Sequence, residues 1–190
     1  MHTKGVLMAG VGGQGILRAS DIFSRVIMAS GLDVKKSEVH GMAQRGGCVT
    51  SHVRYGMKVF SPLAKKGDVD ILVSFEKIET LRYLDYLKVD GRIIINTEEI
   101  YPPAVNMGEA IYPPDVIETI KCLFHDVKVV DATTLAQRAG NIRTVNTVLL
   151  GALSACLTLA GETWEKVLKA SFPSKLIETN IEAFRLGRTA

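Results

Sequence analysis

Gly10, Gly12 and Gly15 fit the pattern G-x-G-x-x-G within the stretch Gly10-Val11-Gly12-Gly13-Gln14-Gly15. The chemistry that wants glycines at this spacing is anion binding. Glycine permits a tight turn and leaves no side chain where a phosphate would approach. The N–H groups of Gly12, Gly13 and Gly15 would then face the ligand at the positive end of a helix dipole. Gln14 is placed to add an amide donor at the rim. The same spacing also fits a turn kept tight only for packing. A second group suited to an anion is Arg45-Gly46-Gly47, a guanidinium fork on a permissive backbone. Glu38 is placed to orient Arg45. An arginine in solvent is the plainer reading of that loop. Asn146 stands in an apolar stretch, so its amide needs a partner in the fold, a ligand or a second subunit. No catalytic residue emerges, because His52 has no partner that the sequence assigns and reads as structural or superficial.

The turn has the context that gives its pattern meaning. Gly5-Val6-Leu7-Met8-Ala9 reads as a buried strand, and Ile16, Ala19, Phe23 and Ile27 recur at helical spacing up to about Ala29. Gly31 is a suitable stop. Leu32 to Val39 is a second strand. A nicotinamide site wants an acid near the end of that strand to hold a ribose. Lys35 and Lys36 stand there instead, with Glu38 beyond, which argues against the usual dinucleotide arrangement even though lysines suit a 2′-phosphate. His40 to Gly47 is a loop expected at the strand's carboxyl end, beside the glycine turn.

Cys48 to Tyr55 alternates, and Gly56 turns it toward Lys58-Val59-Phe60 as an inserted β-hairpin. Thr50, His52 and Arg54 share a face. Val69 to Phe75 is a strand, Glu76 to Leu87 a helix, Asp90-Gly91 a turn and Arg92 to Asn96 a strand. Ala110-Ile111-Tyr112 forms a short edge strand. A helix runs from Pro113 to about Phe124, Val127 to Val130 is a strand, and Asp131 to Thr134 supplies an N-cap. Val145 to Ala160 is a buried helix, with Gly151 and Ala152 at a close contact with the sheet. Asn141 is a cap. Thr163 and Ser174 cap the last two helices, the final one ending at Gly187. Strands alternating with helices imply crossovers and a mostly parallel sheet in one α/β domain spanning 1–190.

The formal net charge of +3 is too small to argue for nucleic acid or a membrane surface. Hydrophobic residues make up 47% of the chain, enough for a substantial core. The apolar stretch from Val145 is interrupted by Asn146, Thr147, Ser154 and Thr158 and is too short for a membrane span. Cys48, Cys122 and Cys156 are widely spaced, with no C-x-x-C, which excludes an iron–sulfur or structural zinc site built from cysteines of this chain. Free cysteines without a leader lead us to expect a cytoplasmic protein.

Four segments occur in a telling order: the glycine turn; Ser37-Glu38-Val39-His40-Gly41-Met42-Ala43-Gln44-Arg45-Gly46-Gly47; Ser51-His52-Val53-Arg54; and Asn146 to Leu153. Together they resemble the gamma-type domain of the 2-oxoacid:ferredoxin oxidoreductases, over nearly the whole chain. Many members carry a glutamate two residues before the arginine. Ala43 stands there instead, and this form looks most like the indolepyruvate branch. The resemblance implies a Rossmann-like three-layer sandwich and a part in oxidative decarboxylation of aryl-2-oxoacids, with coenzyme A as co-substrate and electrons passed to ferredoxin. It implies that thiamine diphosphate, magnesium and 4Fe–4S clusters belong to a large alpha subunit and none to this chain. It makes a coenzyme A phosphate the expected ligand of the glycine turn and the Arg45 loop. The competing readings are a free-standing NAD(P)-binding oxidoreductase and an interaction module with an empty turn. The isolated chain is expected as a monomer or a homodimer.

Overall fold

The computed structural model describes residues 3–41 and 47–190. Arg45 and Gly46, two of the residues expected to bind an anion, lie outside the described residues.

Six strands form one sheet: β1 (Lys4–Val11), β2 (Asp33–His40), β3 (Cys48–Gly56), β4 (Val69–Ser74), β5 (Leu87–Asn96) and β6 (Val127–Val130), in the spatial order β2-β3-β1-β4-β5-β6. β3 runs antiparallel to both of its neighbours, and β1, β4, β5 and β6 run parallel to one another. The inserted hairpin therefore exists, but it is β2 with β3. The expected return along residues 58–60 is not a strand. Local alternation marks a strand and says little about its partner, which long-range packing chooses.

Period-two alternation along β1 divides the core. Val6 and Met8 enter one cluster, Leu7 and Ala9 the other. The first face is covered by α1 (Ile16–Ala29), α5 (Ala132–Arg138), α6 (Val145–Ala155), α7 (Gly161–Ser171) and α8 (Ser174–Thr189). The second is covered by α2 (Lys77–Tyr83) and α4 (Val116–Leu123), while a short α3 (Pro103–Asn106) lies in the irregular segment between them. The three-layer sandwich with a mostly parallel sheet is thus present.

Several boundaries differ from expectation. α2 stops at Tyr83 and continues only as a 3-10 turn, Leu84–Tyr86. Asp90 and Gly91 lie inside β5, near a shift in its register with β4. Residues 110–112 form no strand. α6 ends at Ala155, and α7 and α8 begin after Ala160 and Pro173 without a side-chain cap. Gly187 does not end α8. A Cβ there would stand 1.9 Å from the carbonyl oxygen of Val148, and one on Gly151 would stand 2.1 Å from that of Phe184. The close contact predicted at Gly151 is therefore helix against helix, α6 on α8, rather than helix on sheet.

Candidate functional site at the strand carboxyl ends

Gly10 to Gly15 close β1 onto α1 by a framework that uses most of the turn's polar groups. The Gln14 side-chain oxygen accepts the Val11 N–H at 2.7 Å, and its amide donates to the Phe75 carbonyl at 2.9 Å. Asn96, at the end of β5, donates to the same carbonyl at 3.1 Å and accepts from the Ala132 N–H. The ends of β1, β4 and β5 and the start of α5 are thereby tied together. This corrects the expectation of a Gln14 donor at the rim: its amide braces the turn. Gly12 is also spent, its N–H donating to the Gly47 carbonyl at 3.0 Å. The N–H groups of Gly13 and Gly15 meet no acceptor among the described residues.

Gly15 is fixed twice over. Its φ is +80°, and a Cβ would stand 2.9 Å from the Asn146 side-chain nitrogen. Asn146, buried at the start of α6, donates to the Gly15 carbonyl at 3.4 Å. The partner that the sequence required for this amide is therefore the glycine turn itself.

Beside the turn lies a cleft of about 500 Å³, lined by Gly13, Gln14, Gly15, Asn146 and residues that sequence reasoning did not single out. These include Arg18 on α1, Glu98 and Ile100 beyond β5, Thr133 on α5, and Arg143 in the 3-10 turn Ile142–Thr144 ahead of α6. Arg18 donates to the Ser171 carbonyl and stacks 4.7 Å from the Phe172 ring centre. Glu98 accepts from the Thr133 hydroxyl at 2.6 Å. Among the described residues neither Arg18 nor Arg143 meets an acidic side chain. Asn141 is the cap expected, accepting from the Arg143 N–H at 3.0 Å. The sequence does not set Arg143 apart from other surface arginines, because its lack of an acidic partner among the described residues shows only in the fold. The cleft can receive an anion through two exposed guanidinium groups and two free N–H groups, with a carboxylate and a hydroxyl opposite.

The other expected site residues fall elsewhere. Gly47 reaches the turn through its carbonyl. Glu38 is at the sheet edge on β2, bonded to Lys36 at 2.5 Å, and Lys36 also pairs with Asp21 of α1. Burial works to lower the Lys36 pKa, but those two carboxylates outweigh it and raise the pKa. With β3 between β2 and β1, and Lys36 committed, these lysines do not form a nucleotide ribose site. His52 is buried edge-on to Tyr86, its pKa lowered by burial.

A family model described as pyruvate ferredoxin/flavodoxin oxidoreductase matches residues 5–190. The chain belongs to that family. The indolepyruvate oxidoreductase subunit IorB of Thermococcus kodakarensis is 39% identical over 194 residues, covering 98% of this chain and 95% of that protein. The subunit of the same name from Archaeoglobus fulgidus is 37% identical, covering 96% of this chain and 92% of that one. Among solved structures, a 2-oxoglutarate:ferredoxin oxidoreductase from Magnetococcus marinus, with 2-oxoglutarate, coenzyme A and succinyl-CoA bound, matches with a TM-score of 0.74 at 22% identity. That match covers 100% of this chain and 31% of the other, and shows the shared fold. No described helix is long and apolar enough to cross a membrane.

Proposed function

We propose that this chain is the small subunit of an indolepyruvate (aryl-2-oxoacid):ferredoxin oxidoreductase and is inactive alone. The reaction is coenzyme A-dependent oxidative decarboxylation. In this reading the thiamine diphosphate, its magnesium and the 4Fe–4S clusters are held by a larger subunit, and electrons leave to ferredoxin. The ligand chemistry supports that division. Among the described residues no three His, Cys, Asp or Glu side chains come together to hold a metal ion, and Cys48, Cys122 and Cys156 are separate free thiols.

The observation that carries the proposal is the cleft. Two guanidinium groups with no acidic partner among the described residues flank a glycine turn whose Gly13 and Gly15 N–H groups meet no acceptor among those residues. This chain's residues bind and orient an anionic co-substrate there, and a coenzyme A phosphate is the ligand that the family resemblance suggests. Arg18 and Arg143 supply formal charge, while Gly13 and Gly15 supply dipoles. Asn146 and Gln14 hold the turn open in shape. Arg45, with Gly46 and Gly47, is proposed to add a further positive charge to the same ligand.

The test is co-purification of the full chain with its large subunit, followed by viologen reduction with indolepyruvate and coenzyme A. Activity is expected only in the assembled complex, and Arg45→Ala is expected to raise the KM for coenzyme A. An anaerobically purified small chain that carried its own visible cluster band, or reduced viologen alone, would overturn the proposal.

A further inference from the structure

The segment that leaves β5 at the mouth of the cleft differs from the rest of the surface. Residues 97–118 hold five acidic side chains, Glu98, Glu99, Glu109, Asp115 and Glu118, and no lysine or arginine, in a chain of formal net charge +3. Glu98 is engaged by Thr133 and Glu99 by Lys77. Glu109, Asp115 and Glu118 are exposed. Among them stand large apolar side chains left in water: Ile111 is 90% exposed, Met107 65% and Tyr101 50%. Apolar groups gathered on one exposed segment mark a contact surface.

The segment is firmly held despite its irregular path. Glu76, buried at the head of α2, accepts the Tyr112 hydroxyl at 2.6 Å and the Ile100 N–H at 3.2 Å on one carboxylate oxygen, and the Glu79 N–H at 3.0 Å on the other. Tyr101 packs on Tyr112 with ring centres 5.2 Å apart. A carboxylate withdrawn from water is tolerated when its bonds are filled. Here those bonds fasten the segment at residues 100 and 112. A surface ordered in advance binds without the cost of ordering.

A contrasting patch lies beyond β3. Met57, Phe60 and Leu63 are exposed there too, but the charges within residues 57–66 are Lys58, Lys65 and Lys66, with no acid. Only the acidic patch adjoins the cleft, through Glu98 and Ile100.

We infer that residues 97–118 dock the large subunit, through a basic surface on that subunit with an apolar pocket for Met107 and Ile111. The inference rests on the reading proposed above, since a co-substrate held in this cleft must meet the thiamine diphosphate held by the large subunit. The experiment measures the affinity of the full chain for its large subunit at low and high salt. The double variant Met107→Ser, Ile111→Ser is expected to lose about tenfold or more in affinity. The double variant Glu109→Lys, Asp115→Lys is expected to lose affinity at low salt and to flatten the salt dependence. Phe60→Ser is expected to bind as the wild type does. All of these side chains are exposed, so the melting temperature of the free chain is expected to hold and is measured alongside. Wild-type affinity in both acidic-segment variants, or a loss confined to Phe60→Ser, overturns the inference alone. A wild-type chain that forms no complex at all overturns the underlying reading with it.

Discussion

At the amino ends of the parallel strands, a cavity of about 210 Å³ is lined by Lys4, Asp70, Lys88, Asp90, Arg92 and Asp126, and four of these six charges are paired with one another. Lys88 pairs with Asp70 at 2.6 Å, and Arg92 with Asp126 at 2.5 Å. Asp70 also accepts the Gly5 N–H at 2.7 Å. At the carboxyl ends, Arg18 and Arg143 border a larger cleft and meet no acid among the described residues. One end has put most of its charges into ties between neighbouring strands. The other keeps cations available, as binding requires and stability does not. The more charge-rich cavity is thus the less suited to an anion, because its cations and acids balance, whereas in the cleft Arg18 and Arg143 outnumber Glu98.

The largest expected effect tests the core that both ends share. Leu149 is fully buried in α6. Leu149→Ala should cost about 2–5 kcal/mol, read as a lower denaturation midpoint. An unchanged midpoint would place that side chain outside the common core.

The next pair tests the contrast itself. Arg143→Ala should raise the KM for coenzyme A in the assembled enzyme roughly ten- to hundredfold, the equivalent of a lost charge-assisted bond of about 1.5–3 kcal/mol. It should leave the denaturation midpoint in place. Asp70→Ala should do the reverse, lowering stability by about 1 kcal/mol, since its ion pair is partly exposed, with the KM unchanged. If the two variants exchange these effects, the division between the ends is wrong.

The smallest effect sharpens the picture at the edge of the carboxyl end. Glu79 of α2 has its pKa raised, first by burial and then by Glu76, against a lowering by Arg82. A carboxyl raised in the folded state binds its proton more tightly folded than unfolded. Stability should therefore fall as pH rises from the ordinary carboxylate value of 4.5 through the raised one. Thermal melts of wild type and Glu79→Gln across that window should show the slope in the first and its absence in the second.

The glycine turn was legible because strand, turn and helix are local, and their residues lie within one short stretch. The α/β layering was legible because strands alternate with helices along the chain, although the continuous apolar run Val6 to Ala9 does not itself say which side chain meets which layer. What sequence could not supply was the choice of neighbours. β3 alternates clearly, yet nothing in its residues says that β2 on one side and β1 on the other will pair with it. Gly187 looked like a terminator because glycine ends many helices, whereas its role depends on a carbonyl 39 positions away in the chain. Gln14 and Gly12 looked like ligand donors, and their N–H groups are satisfied by Phe75 and Gly47. Arg143 was hidden for the opposite reason. Its significance comes from the absence of an acid nearby, which only a folded chain displays.

The approach of α6 and α8 through Gly151 and Gly187 has a genetic consequence. The obstacles to a side chain at either position are main-chain atoms, the carbonyls of Phe184 and Val148. Trimming a neighbouring side chain therefore cannot make room, and no single second-site substitution can restore the fit. Relief would need α8 to move as a body, and α8 is joined to α6 by the Thr147 hydroxyl donating to Asn180 at 2.7 Å. Thr147 follows Asn146, whose amide reaches Gly15. The C-terminal helix is thus linked through α6 to the glycine turn, and a change at either glycine would be felt as far as the residues that line the cleft.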